Sequence, residues 1–367
     1  MEPRFRKITV KVGSNVLTKG DGTLNVSRIA HLVEQIAILH KAGLEIVLIS
    51  SGAVASGRAV LTPSAKTDPV SARQLWAALG QVRLMSRYSD LFREFGLNCA
   101  QVLTTKENFS SRAHYLNMKN CINTLLENRV IPIVNENDTI SVTELMFTDN
   151  DELSGLMATL AQSEALIILS NVDGVYNGPP GDPGSEVIRE ISGDPESSGV
   201  EVADEKSEFG RGGILTKLRI ARKVADSGIT VLIANGSREN ILIDLIAGNN
   251  IPYTFFKPSE HQASGVKNWI AYSDSFAKST VTINEGAVSA LMSDKAVSLL
   301  PVGITAISGD FRRGDLLRIV DGQKRLIGVG RASFSADKLG REQSAPRQKP
   351  LIHYDYLYLE PEFRQKI

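Results

Sequence analysis

Short apolar runs alternate along the chain with longer amphipathic segments. Ile8-Thr9-Val10-Lys11-Val12 has the length and β-branched content of a strand and stops at Gly13-Ser14-Asn15. Across 26–42 the apolar positions Ile29, Leu32, Val33, Ile36 and Leu39 recur at helical spacing, which predicts a helix capped by Asn25 or Ser27 and ended by Gly43. A second strand over 45–49 runs into Ser50-Ser51-Gly52-Ala53 and another helical stretch. The order repeats: a helix around 72–95, a strand over 98–103, a helix around 111–128, then the apolar run 130–134. That last strand leaves through Asn135-Glu136-Asn137-Asp138, and Asp149-Asn150-Asp151 stands just before the apolar-periodic segment 153–160. A strand at 165–169, a Gly/Pro loop at 177–181, a helix over about 213–227, a strand at 230–234 and a helix at 239–247 complete the series.

This alternation predicts an α/β fold, a three-layer αβα sandwich with a mainly parallel sheet. Right-handed crossovers place the carboxyl ends of the strands along one edge, where such sheets bind ligands. The polar turns at 13–15, 50–52, 135–138 and 170–171 converge there. After about Ser275 the pattern changes to short alternating runs at 280–283, 303–307 and 316–320. Turn signals fall at Asn284-Glu285-Gly286, Ser308-Gly309-Asp310 and Asp321-Gly322. A small, mostly β module with one helix near 287–292 is expected, so the chain divides into 1–265 and 276–358.

Composition narrows this only slightly. The net charge is +0, which points to neither nucleic acid nor membrane. Residues 276–367 hold 14 Lys+Arg against 10 Asp+Glu, a mild basic excess of +4. Cys99 and Cys121 are the only cysteines, too few for a disulfide framework or a zinc site and suited to a reducing compartment. No secretory leader or membrane-length apolar run is present, so a cytoplasmic protein is expected.

The candidate chemistry lies on the strand edge. Amides and carboxylates at 135–138 and 149–151 could hold an ammonium group or orient cations around a phosphate, or could simply be turn and capping residues. Close approach of backbone N–H groups to phosphate needs glycine, and Gly13, Gly52 and the run Gly210-Arg211-Gly212-Gly213 are candidates. Neither the P-loop spacing nor a G-x-G-x-x-G opening a helix occurs. Lys11 sits inside a strand where a hydrophobe is expected, so it either meets an anion or lies on an edge. Lys217 follows the glycine run. Two lysines flanking a transferring phosphoryl group would offset its charge. None of the five histidines falls in these motifs, and a carboxylate acceptor, already ionised, needs no general base.

VKVGSNVLT, ISSGAVASG, IPIVNENDTI, TDNDELSGLMA and GRGGILTK, in this order, resemble the amino-acid kinase family. INEGAVSAL, SLLPVGI, SGDFRRGD and LIGVG resemble a PUA module. The resemblance is to the branch acting on L-glutamate, and implies transfer of the ATP γ-phosphoryl group to the γ-carboxylate, with Mg2+ carried on the ATP phosphates. It implies that Lys11 and Lys217 stabilise the transferring group and that Asp151 positions them. Ser51, Asn135, Asp138 and Asn150 would bind glutamate, with Asp138 facing its ammonium. Gly13 and Gly52 would offer N–H groups, while Ser170, Asn171, Arg211, Gly212, Gly213, Ile214, Leu215, Thr216 and Lys217 would bind ATP. Ser170-Asn171 replaces the family's usual Thr-Asp, and Arg211 and Ile214 replace the Thr and Met of its glycine loop. Inhibition by proline, a homo-oligomer and handover of a labile acyl phosphate to a separate reductase are also implied. Alternatives are a kinase for acetylglutamate, aspartate, carbamate or uridylate, or an RNA-binding protein whose affinity falls steeply with salt.

Overall fold

Strand β1 (Lys7–Val12) is buried along all but its first residue. In a computed structural model it lies inside an eight-stranded sheet with β2 (Glu45–Ser50), β3 (Cys99–Thr104), β4 (Ile131–Glu136), β5 (Ala165–Ser170), β6 (Glu190–Ile191), β7 (Thr230–Asn235) and β8 (Thr254–Phe256). The order is β3-β4-β2-β1-β5-β7-β8-β6. All pairings are parallel except β7 with β8. The structure describes residues 4–109, 112–140, 150–192, 214–259, 267, 269–270, 277, 279–293, 297–345, 348–360 and 363, apart from the side chains of Glu107 and Leu215. Two compact units divide the chain, 1–261 and 262–367.

The connecting helices are α1 (Ser14–Leu17), α2 (Val26–Lys41), α3 (Ala53–Arg58), α4 (Pro69–Glu94), α5 (Arg112–Glu127), α6 (Asn150–Ala161), α7 (Ile214–Asp226) and α8 (Ile241–Ala247). Because side chains alternate across a strand, β1 sends Ile8, Val10 and Val12 into one core with Ile46, Leu48, Ile131 and Ile133. Ile29, Leu32, Val33 and Ile36 of α2, Leu84 and Phe92 of α4, and Leu242 and Leu245 of α8 cover this face. Lys11 points the other way, toward the layer in which α6 packs on β1, β2 and β5 and lies against α5 and α7. Helices on both faces of the sheet make the expected αβα sandwich. The edge-strand alternative for Lys11 fails, since β1 is hydrogen-bonded to β2 and β5 and Lys11 is 5% exposed.

Local chemistry sets the helix starts. The Asn25 side chain accepts from Arg28 N–H at 3.1 Å and caps α2. Asp68 accepts from the N–H groups of Val70 and Ser71, each at 3.0 Å, ahead of Pro69 at the first helical position. Helix α4 thus begins three positions before the expected 72 because this cap overrides the apolar periodicity. Gly13-Ser14-Asn15, read as a turn, instead opens the single-turn α1. Strands β6 and β8 had no counterpart in the sequence reading, being two and three residues long.

The second unit is a five-stranded sheet of β9 (Ser279–Ile283), β10 (Ile304–Ser308), β11 (Leu316–Val320), β12 (Leu326–Ala332) and β13 (Ile352–Leu359), in the order β10-β9-β11-β12-β13. Only β9 with β11 is parallel. Its helices include α9 (Glu285–Leu291) and α10 (Leu339–Gln343). The supposed turn at Asn284-Glu285-Gly286 is a helix start, in which the Asn284 side chain accepts from Ala287 N–H at 2.8 Å. Phe311, Leu317, Ile319, Ile327 and Ile352 lead a separate core.

Candidate active site

Strand β1 delivers Lys11 one residue before its end, and α6 begins at Asn150, so Asp151 sits in the first turn of a helix resting on that strand. Its carboxylate is 1% exposed. Oδ1 meets the Lys11 ammonium at 2.5 Å and Oδ2 meets the Lys217 ammonium at 3.1 Å, the second lysine coming from the first turn of α7. Burial pushes the Asp151 carboxyl up, but the charges and hydrogen bonds of Lys11 and Lys217 outweigh that and hold it below the ordinary carboxylate range. These three side chains bring two ammonium groups to one buried carboxylate.

Next to this centre the amide of Asn150 donates from Nδ2 toward the Ser51 hydroxyl (2.9 Å), the Ser50 carbonyl (3.2 Å) and Asn135 Oδ1 (3.3 Å). Asn135 leaves β4 and is itself oriented, since its Nδ2 donates to Gln81 Oε1 at 3.1 Å and its Oδ1 accepts from Glu136 N–H at 2.9 Å. Asp138 is 8% exposed and accepts from an Arg73 guanidinium nitrogen at 2.6 Å. Gln74 donates to the Thr139 carbonyl at 2.7 Å, and the Tyr88 hydroxyl lies 2.9 Å from Ser50 Oγ. Burial pushes the Tyr88 phenol up to about 12, so it stays neutral.

Thus Ser51, Asn135 and Asn150 share one hydrogen-bonded network, and Asp138 follows two residues after the end of β4. Sequence reasoning missed Arg73, Gln74, Gln81 and Tyr88, all on α4. The available signal was a polar set at positions 74, 81 and 88, one heptad apart, inside an otherwise apolar-periodic helix.

Gly52 has φ +98°, a conformation that favours glycine, and ends at the N-terminus of α3; its N–H has no acceptor among the described residues. Gly13 corrects an expectation. Its N–H donates to the Leu169 carbonyl at 3.1 Å and is not offered to a phosphate. A Cβ there would lie 3.2 Å from that carbonyl and 3.7 Å from the Lys11 ammonium, so glycine lets the strand end pack beside the lysine.

A model of the amino acid kinase family matches residues 6–235, and one of the PUA domain matches 279–343. The chain is 57% identical to the glutamate 5-kinase of Bacteroides thetaiotaomicron over 98% of this chain and 100% of that protein. It is 46% identical to the glutamate 5-kinase of Chlorobaculum tepidum over 98% and 99% of the two chains. The chain belongs to the amino acid kinase family. A solved UMP kinase from Ureaplasma parvum aligns with it at TM-score 0.49 and 18% identity, over 69% of this chain and 99% of that one.

On the other side of Lys11, this family member places Ser170 and Asn171 at the end of β5, with Ser170 Oγ donating to Asn171 Oδ1 at 3.4 Å. Two residues on, Asp173 forms a two-point pair with Arg238 at 2.8 Å and 2.8 Å and accepts from Asn235 Nδ2 at 3.0 Å. These bonds, the Arg238 contact foremost, hold the Asp173 carboxyl below its ordinary value and brace the ends of β5 and β7. Of the expected ATP loop, Ile214, Thr216 and Lys217 fall in the first turn of α7 with Leu215 between them. Arg211, Gly212 and Gly213 lie outside the described residues, as does Asp149.

Proposed function

We propose that this chain transfers the γ-phosphoryl group of ATP to the γ-carboxylate of L-glutamate, giving L-glutamyl 5-phosphate and ADP, the first step of proline biosynthesis. The observation that carries the reading is the buried Lys11–Asp151–Lys217 centre, with a network of amides and a hydroxyl on one side and the β5 and β7 strand ends on the other. Glutamate would occupy the side of Ser51, Asn135, Asp138 and Asn150. ATP would lie over Ser170, Asn171 and the segment from Arg211 to Lys217.

A γ-carboxylate oxygen attacks the γ-phosphorus, the bond from phosphorus to the β,γ-bridging oxygen breaks, and ADP carries off that electron pair. No proton has to be removed from the nucleophile. Negative charge spreads over the equatorial oxygens, and Lys11 and Lys217, held by Asp151, are placed to meet it. Gly52 supports the reading with an N–H that has no other described acceptor. Among the described residues no group of three or more His, Cys, Asp or Glu side chains converges as a metal site, and both Asp151 oxygens face ammonium groups. The ion is read as part of the MgATP substrate, where it neutralises phosphate charge.

The same reading includes proline as an inhibitor competing for the glutamate side, a homo-oligomeric assembly, a cytoplasmic location and a separate reductase that consumes the acyl phosphate. The kinase role is assigned to residues 1–265, and the PUA domain, taken as 276–358, is not assigned an RNA-binding role. Full-length alignment with proteins named glutamate 5-kinase favours glutamate over the other substrates of the family.

The test is ADP release with MgATP and L-glutamate, trapping the acyl phosphate with hydroxylamine. Glutamate-dependent hydroxamate that falls by roughly 100-fold or more in Lys217→Ala establishes reaction and site together. Turnover on another carboxylate or phosphate, with none on glutamate, would discard the substrate assignment.

A further inference from the structure

If Asp138 receives the substrate's ammonium group, the chemistry of an α-amino acid creates a problem one bond away. The α-carboxylate sits on the same carbon as the ammonium, so it is carried into the neighbourhood of a nearly buried carboxylate. Like charges that close in a poorly solvated place repel strongly. Asp138 alone would therefore select an amine and disfavour an amino acid. A cation beside Asp138 removes this conflict.

Helix α4 supplies that cation. One terminal nitrogen of Arg73 donates to Asp138 Oδ1 at 2.6 Å, and this is the guanidinium's one hydrogen bond among the described residues. Arg73 Nε is buried and has no partner among the described residues, and the side chain as a whole keeps 33% of its surface exposed. A guanidinium has five donors in a fixed fork that matches a carboxylate. Arg73 therefore holds spare donors beside the carboxylate expected to take the ammonium.

The position of Arg73 is also fixed. Helix α4 crosses α3 at backbone contact, where a Cβ on Gly80 would stand 1.7 Å from the Ala53 carbonyl oxygen and one on Gly57 would stand 1.9 Å from that of Trp76. Gln74 and Gln81 tie the same helix to the Thr139 carbonyl and the Asn135 amide.

We propose that Arg73 is a specificity-determining residue that receives the α-carboxylate of the amino-acid substrate while Asp138 receives its ammonium. The ion pair then acts as a receptor for the zwitterionic head of a free amino acid, and the side-chain carboxylate is left to reach Lys11 and Lys217. This rests on the proposed glutamate kinase activity.

The test compares L-glutamate with its α-carboxamide, which keeps the ammonium and the γ-carboxylate but loses the α-charge, in the wild type, Arg73→Met and Arg73→Lys. The wild type is expected to prefer glutamate over the amide. Arg73→Met is expected to reduce that preference in kcat/KM by roughly 10- to 100-fold, through the KM for glutamate, with the KM for ATP unchanged. Arg73→Lys, which keeps the charge but not the fork, is expected to retain part of the preference. It also serves as the readout should Arg73→Met fail to fold in a melting experiment. An unaltered preference ratio in either folded variant, whatever the loss of overall rate, overturns the assignment. A wild type inactive on glutamate would instead overturn the underlying reading, so the two failures are distinct.

Discussion

At the scale of single residues the site is a problem of buried charge. Asp151 gains nothing from its location until two ammonium groups arrive, and removing the carboxylate leaves those ammonium groups facing each other. Asp151→Asn is accordingly expected to cost roughly 3 kcal/mol of stability at neutral pH, in the range for breaking a buried ion pair, as well as nearly all activity. The pH dependence follows from the sign of the shift. The folded carboxyl is held below its ordinary 3.8, so its stabilisation is fully present above about pH 4 and is lost as pH falls through the lower, folded value. Urea midpoints of wild type and Asp151→Asn should therefore differ by a constant amount from pH 7 to pH 5 and converge below about pH 4. A gap that already closes between pH 6 and pH 5 would mean that Asp151 is not held ionised by its lysines.

At the scale of elements, α4 shows where local pattern and tertiary contact part company. Alanine normally favours a helix over glycine by about 1 kcal/mol, which predicts that Gly80→Ala should stabilise a mid-helix position. The Ala53 carbonyl oxygen, 1.7 Å from where the new Cβ would stand, reverses the sign, because backbone cannot move aside as a flexible side chain can. A net loss of roughly 2 kcal/mol or more, measured by urea denaturation, is expected from such overpacking. A neutral or stabilised Gly80→Ala would show that α3 and α4 separate easily, and would weaken the case that α4 fixes Arg73.

The same helix marks what the sequence made legible. Lys11 stood out because a charge inside a buried strand needs a partner, and the clusters at 135–138 and 149–151 stood out by composition. The αβα layering followed from periodicity alone. Arg73 and Gln81 did not stand out, because their partners Asp138 and Asn135 lie 65 and 54 residues away and no local rule links them. The Gly13 expectation failed for a related reason. The acceptor that uses its N–H is on β5, a strand brought alongside only by the crossover through the whole sheet. Short β8 runs antiparallel to β7 and carries too few residues for a period to register.

At the scale of the whole molecule, two cores are built from two separate stretches of chain. The cluster around Ile8, Val10 and Leu48 belongs wholly to the first unit, and that around Phe311, Leu317 and Ile319 wholly to the second. A substitution deep in one should therefore leave the chemistry of the other unchanged while lowering the stability of its own unit. Ile319 is the informative choice, being fully buried on β11, the central strand of the PUA sheet, between β9 and β12. Truncation to alanine removes buried methyl and methylene groups and leaves a cavity, at a cost of roughly 2–5 kcal/mol. Against the 5–15 kcal/mol that typically stabilises a domain, that loss is large enough to lower the unit's melting transition visibly in calorimetry. The KM values for glutamate and ATP should stay within about twofold of wild type, since sites without shared partners behave independently. A shift in the glutamate KM in Ile319→Ala, at a temperature where the variant remains folded, would show that the PUA domain is energetically part of the kinase site. Unchanged KM values together with a lowered melting transition would place whatever the domain does outside the phosphoryl-transfer step.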